Sequence, residues 1–428
     1  MLRGIGTRCS RPFGSLVDLL RRNNHFRTLF IAQIVSYCGD WFATVALLGI
    51  VHDYTHSALL VALVWVFQSL PAFIVSPWAG PVADRFDRRK IMVGVSAAQA
   101  MAALGYLLVH SRSTVAFGLV AETLVATLAA FFGPASQAAM PNIVEPQDLG
   151  TANAMMGSTW GAMLAIGAAL GGVFTHFAGR SAAFLADAVS FAIAGLLIAT
   201  VRVPMTERIG PPKGKMRPFH DSREALKFAR KRPQILALLA SKFAFGMGAG
   251  AVALLPVLAR KKFHGGDGIT ALFLSARGTA VLLSPFLIKR WVGSSIPKII
   301  RICGFATTIY GAMYFGVATV PAVGLAVVFV FMAHCGGGWQ WTYSTMGLQL
   351  ATPDQLRGRI FAADFALVTL TMSISSTAAG LLAGRFGPGP VMAGLATTSL
   401  LIGGAYFWFT RHLTATVVTQ ASSNADAL

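Results

Sequence analysis

Apolar runs close to the thickness of a lipid bilayer recur along the whole chain: Leu29 to Val51, Ala58 to Ala79, Val115 to Phe132, Ala182 to Val201 and Val320 to Ala333. A helix needs about 20 residues to cross ~30 Å of hydrocarbon, and a soluble core helix seldom runs that long. Backbone amides and carbonyls find no partner in lipid, so only helices and closed barrels span it. The runs lack the apolar/polar alternation of barrel strands. An all-α membrane protein is therefore expected. Composition agrees: 55% of the 428 residues are hydrophobic and 12% are charged, against roughly 25% charged in soluble domains.

Twelve transmembrane helices are predicted, at residues 27–51, 58–80, 91–110, 114–137, 149–177, 181–201, 233–260, 269–291, 297–318, 321–348, 358–384 and 388–410. The basic residues set their orientation. About 27 of the 35 Lys and Arg fall in the two tails and in the loops that follow even-numbered spans, which under the positive-inside rule puts both termini in the cytoplasm. The net charge of +19 then reads as topology and as attraction to anionic lipid at the cytoplasmic face, not as nucleic-acid binding. The expected domains are an amino tail (1–26), a six-helix half (27–201), a linker (202–232) with Pro204, Pro211, Pro212 and a dense basic run, a second six-helix half (233–410) and a carboxyl tail (411–428). The end of the linker, Ser222 to Arg230, has the pattern of an amphipathic surface helix. The amino tail has no short apolar stretch followed by a small-residue cleavage site, so the first span is expected to act as its own insertion signal. Arg260-Lys261-Lys262 breaks the charge rule, either through a misplaced span end or because it forms a basic vestibule on the outer side.

The halves also repeat at an offset of about 208 residues. Ser76-Pro77 falls on Ser284-Pro285, and Gly172 and Gly179 fall on Gly380 and Gly387. Pro146-x-x-Leu149 recurs as Pro353-x-x-Leu356, one residue out of step. The pattern favours two pseudo-symmetric six-helix repeats with a site between them.

After the second span comes Gly80-Pro81-Val82-Ala83-Asp84-Arg85-Phe86-Asp87-Arg88-Arg89-Lys90. It resembles the loop signature Gly-x-x-x-Asp-Arg-x-Gly-Arg-Arg/Lys of the major facilitator superfamily, with Asp87 where the family has Gly. Phe26-Arg27, Gly39-Asp40-Trp41, Phe132-Gly133-Pro134-Ala135, Ala152-Asn153-Ala154 and Leu356-Arg357-Gly358-Arg359 look like the branch that contains bacterial enterobactin exporters and related efflux proteins. The resemblance implies the twelve-helix major facilitator fold and proton-driven export. It also implies a gate in which Gly80 lets helices approach and Asp84 caps the amino terminus of span eleven, with Arg85, Arg88 and Arg89 tying the cytoplasmic side. Span five carries Gly167-Ala168-Ala169-Leu170-Gly171-Gly172, similar to the family's antiporter signature but with Ala168 in place of Pro. Gly167, Gly171 and Gly172 permit close helix contact whatever the function.

Ionisable side chains inside a bilayer are costly, so each is expected to face a cavity or a partner. Asp40, Glu122, Lys242 and Arg277 fall near mid-depth of spans one, four, seven and eight; Asp187 and Asp364 fall nearer the surfaces. In the superfamily spans one, four and seven line the cavity and span six packs outside it. A carboxylate there can take a proton when the cavity faces one side and release it on the other, so Asp40 or Glu122 is the expected coupling group. Lys242 or Arg277 is expected to pair with it or to contact an anionic substrate. His334 in span ten reads as a satisfied buried histidine or a proton relay. Trp339 and Trp341 read as packing or as a stacking platform, and Gln33, Gln68 and Gln99 as interhelical bonds or substrate contacts.

The expected function is a secondary-active exporter of a siderophore-like or drug-like molecule, working as a monomer in a bacterial inner membrane. A facilitator, an importer, a flippase for a lipid-like molecule and a non-transporting sensor are the alternatives. No GxxxxGK[ST], HExxH or GxSxG occurs, and the nine histidines are scattered, so no enzyme chemistry, cofactor or ATP drive is expected. Cys9, Cys38, Cys303 and Cys335 show no metal-ligand spacing, and no metal is expected.

Overall fold

The computed structural model describes residues 12–145, 148–205, 227–293, 295–352 and 354–414. Twelve helices there are long and apolar enough to cross a membrane: Asn24–Thr55, Ala58–Arg85, Arg88–Leu108, Arg112–Ile143, Leu149–Ala178, Arg180–Thr200, Pro233–Lys261, Asp267–Val292, Ile296–Thr319, Val323–Ala351, Asp354–Phe386 and Pro388–Thr414. No strand occurs among the described residues. Several span ends carry side-chain caps on the amides that a first turn leaves unpaired. Asn23 accepts from the Phe26 amide at 2.9 Å and Ser57 from the Leu60 amide at 3.3 Å. Asp87 accepts from the Lys90 amide at 3.0 Å, so the residue that departs from the loop signature is the amino cap of span three.

Three features differ from the sequence expectation. Span four runs to Ile143, past the predicted end at 137, with Pro134 and Pro141 inside the helix. Span seven breaks at Ala249 into Pro233–Gly248 and Gly250–Lys261. An extra helix, Pro12–Arg22, precedes span one, and Arg22 pairs with Asp148 at 3.2 Å. Residues 206–226 of the linker lie outside the described residues; 227–230 are helical, with Ala229 buried.

The two sets of six helices pack in matching ways. Span one lies on six, two on four, three on four and three on six; seven lies on twelve, eight on ten, nine on ten and nine on twelve. The sets meet along five with eight and two with eleven. Glycines at the repeat offset serve both contacts. A side chain at Gly172 in span five would collide with Ala271 of span eight, and one at Gly380 in span eleven would approach the Leu59 Cα of span two to 2.6 Å. Gly179 and Gly387 end spans five and eleven at φ +84° and +83°, a region that disfavours any Cβ.

The cores divide by membrane side. Call the side holding the start of span one the terminal side and the other the far side. On the far side one apolar cluster joins both sets, including Leu47, Tyr106 and Phe184 with Leu258, Phe273 and Tyr314. On the terminal side there are two clusters, one around Phe26, Met92 and Ile198 and the other around Leu238, Ile299 and Tyr343. Among the described residues the apolar core is therefore single on the far side and double on the terminal side.

Candidate transport site

On the far side, four charged residues link the ends of four spans. Arg180 of span six donates to Asp53 of span one at 2.6 Å and to Asp267 of span eight at 2.8 Å. Arg260 of span seven donates to Asp53 at 3.0 Å and to Asp267. Each arginine therefore bridges the two halves. Arg260 thus belongs at the far side as a ring member, and span seven ends at Lys261, one residue from its predicted end. Lys262 donates to the carbonyls of Val317 and Ala318 at 3.1 and 2.7 Å, placing a cation at the carboxyl end of span nine. Burial pushes the Lys262 ammonium below the usual lysine range. A depression of about 780 Å³ opens beside the ring, lined in part by Tyr54, His176, Arg180 and Asp267.

The middle of the first half holds three carboxyl groups. Glu122 is buried and accepts from the Tyr106 hydroxyl at 2.6 Å; Gln68 also bonds it. Asp40 lies close enough to Glu122 for their charges to interact, and Asp187 interacts with both. Asp187 is 1% exposed and packs against Gly39, with its Oδ1 unbonded. Sequence reasoning set Asp187 aside because span six packs outside the cavity. Depth along a helix says nothing about rotation, and this side chain points inward.

In the second half Lys242 donates to Asp364 at 2.8 Å, both side chains buried, with its ammonium 4.2 Å from the centre of the Trp341 ring. The expected pairing of Lys242 with Asp40 or Glu122 is thus replaced by one within its own half. Asp364, placed near the surface by sequence, is the partner on span eleven. Arg277 pairs with no carboxylate among the described residues either. Its guanidinium lies 5.6 Å from the Trp65 ring and 6.0 Å from the Trp160 ring, both in the first half. Nε and Nη1 are buried without a hydrogen-bond partner.

The remaining polar residues bridge helices. His334 is buried and shares a 2.8 Å hydrogen bond with Tyr314. Gln33 donates to the Met156 carbonyl and Gln99 to the Val125 carbonyl, and Gln68 reaches Thr44. Trp339 donates to the Ser284 carbonyl at 2.9 Å and stacks on Phe305, whereas Trp341 is 41% exposed beside Lys242. Gly167 and Gly171 face Trp41 and Phe42 of span one, and Gly172 faces span eight, so the glycine motif sets two close helix contacts. Cys38, Cys303 and Cys335 are free thiols.

The loop signature is described in part. Gly80, Asp84 and Arg85 lie in the helix Ala58–Arg85, and their side chains fall outside the described residues, as do those of 353–359 at the start of span eleven. Arg88 donates to the carbonyls of Ala83, Ala138 and Met205, and Arg89 to that of Val201. Both arginines tie the terminal-side ends of spans within the first half.

A family model described as transmembrane secretion effector matches residues 19–426. The chain belongs to that family. This is a family of major facilitator transporters, and relatives carry matching names. The staphyloferrin A transporter of Staphylococcus aureus is 22% identical over 78% of this chain and 83% of its own. The MFS-type transporter YhhS of Escherichia coli is 28% identical over 90% and 92%. Among solved structures, a bacterial homologue of the human lysosomal transporter Spinster, inward-facing and unoccupied, superposes with a TM-score of 0.71 at 14% identity, over 91% of this chain and 96% of that one. A peptide transporter of the POT family superposes at 0.74 and 11% identity, over 92% and 95%. These likenesses share the major facilitator fold with this member of the secretion effector family.

Proposed function

We propose that this chain is a secondary-active exporter in a bacterial cytoplasmic membrane, moving a small organic molecule by alternating access with protons as the coupled ion. The observation that carries the reading is the division of the core. The halves are joined on the far side by a shared apolar cluster and the Asp53–Arg180–Arg260–Asp267 ring, whereas the terminal side holds, among the described residues, a separate cluster in each half. A rocking transporter held open to one face has this form. The positive-inside distribution puts the terminal side in the cytoplasm, so the state is inward-facing. Asp40 and Glu122, with Asp187 beside them, supply protonatable groups at mid-membrane. The family's description as a secretion effector supports export, and the name of the Staphylococcus relative supports siderophore-like cargo.

The test is to identify which compound accumulates in cells lacking the protein and to follow it in proteoliposomes. A bifunctional thiol reagent bridging Asp53→Cys and Arg260→Cys, on a cysteine-free background, locks the far side. Export driven by a pH gradient should stop on bridging and return when a cleavable bridge is cut. Undiminished flux with the far side locked refutes alternating access between these halves.

A further inference from the structure

Resting on the transporter reading, we infer that the cargo is an organic anion whose carboxylate is bound by Arg277 between the indoles of Trp65 and Trp160. Lys242, the other intramembrane cation, already has a carboxylate at 2.8 Å. Arg277 has none among the described residues, although a charge held in the bilayer without a counter-ion is costly. The donors left open are specific. Nε and Nη1 of Arg277 are buried without acceptors, and so is the indole nitrogen of Trp65. Each of these guanidinium nitrogens forms a planar fork with Nη2 that matches two carboxylate oxygens in parallel, which a point-charge ammonium cannot do.

The place is right for cargo as well. Arg277 sits on span eight, where Gly278 brings its backbone hard against Leu164 and Ala165 of span five. The guanidinium thus enters the seam between the halves, at the terminal-side edge of the shared far-side cluster, which includes Leu274 and Trp41. The Tyr314–His334 pair lies near enough to Arg277 to interact electrostatically but carries no carboxylate. The two indoles lie 5.6 and 6.0 Å from the guanidinium and supply aromatic surface next to the cation for a planar group on the same ligand. A molecule with a carboxylate next to an aromatic or other planar body completes the site.

The probe is benzoate, with benzamide as its neutral isostere, added to the purified full chain in lipid nanodiscs while thermal unfolding is followed. Benzoate should raise the melting temperature of the wild type, and benzamide should not. Arg277→Gln should weaken the benzoate effect by on the order of 10- to 100-fold in concentration, the worth of a charge-assisted bidentate contact. Arg277→Lys, which keeps the charge and loses the fork, should fall between. Without ligand, Arg277→Gln should melt no lower than the wild type, since no resident counter-ion is lost and removing an unpaired buried charge offsets the two ring contacts. Equal effects of benzoate and benzamide, no benzoate effect at all, or benzoate binding unchanged in Arg277→Gln would each overturn the assignment. A marked drop in the ligand-free melting temperature of Arg277→Gln would do the same. Arg277-dependent benzoate binding without flux of any carboxylate in proteoliposomes would leave the anion site standing and remove the transporter reading.

Discussion

The two halves share a helix arrangement and carry opposite charges at their centres. The first half holds Asp40, Glu122 and Asp187 with no cation paired to any of them among the described residues, and Tyr106 and Gln68 as hydrogen-bond partners. The second holds Lys242, neutralised by Asp364, and Arg277, which is not neutralised. A carboxyl group with neutral partners can change protonation without breaking an ion pair. A guanidinium stays charged at any physiological pH. On the proposed function, proton handling falls to the first half and anion handling to the second, with Lys242 and Asp364 as structure.

The sharpest break of that division is at Asp40. If it carries the proton, Asp40→Asn abolishes export driven by a pH gradient, because an amide releases no proton to either face. Substrate exchange at matched pH needs no net proton movement and should survive. Both are read in one proteoliposome preparation. Retained gradient-driven export moves the coupling role to Glu122 or Asp187; joint loss of export and exchange means that Asp40 shapes the site instead.

The next largest effect tests the structural assignment. Lys242→Met strands the buried Asp364 carboxylate and should destabilise the protein by about 3–5 kcal/mol. Lys242→Met with Asp364→Leu removes both charges and should recover most of that loss, since replacing a whole buried pair by apolar groups is often neutral. Thermal unfolding in nanodiscs measures both. A double variant no more stable than the single one would show that Lys242 serves something other than Asp364.

The helices, their number and the repeat were legible in the sequence because bilayer thickness and the missing lipid hydrogen bonds leave the backbone little choice. Asp40, Glu122, Lys242 and Arg277 were also visible, as charges that apolar runs have to explain. Their partners were not. Asp187 and Asp364 were discounted on depth and span number, whereas what decides their surroundings is rotation about the helix axis, which an almost uniformly apolar span does not encode. The far-side ring was missed for another reason. Asp53, Arg180 and Asp267 sit at span ends, where charge is ordinary. The usable signal was the breach of the positive-inside rule at Arg260, since a basic residue on the sparsely charged side needs a local acid to account for it.

That ring gives the smallest effect and the most direct measure of how the halves are coupled, since charges of one half meet those of the other there. Asp267 is buried to 12% exposure and accepts from both arginines, whereas Asp53 is 45% exposed. Exposed pairs contribute about 0–1 kcal/mol, and breaking a buried one costs about 3–5 kcal/mol. Asp267→Asn should therefore weaken far-side closure by about 2 kcal/mol, a shift of about 30-fold in the ratio of the two open states. Asp53→Asn should shift it less, because water already screens that carboxylate. The readout is alkylation of Leu258→Cys, at a fully buried position of the shared far-side cluster, by a membrane-impermeant maleimide on a cysteine-free background. Asp267→Asn should speed the reaction more than Asp53→Asn does, and both effects should shrink in high salt for the ring as a whole. Equal rates in all three proteins would mean that the apolar cluster alone holds the far side shut and that the ring only orients the span ends.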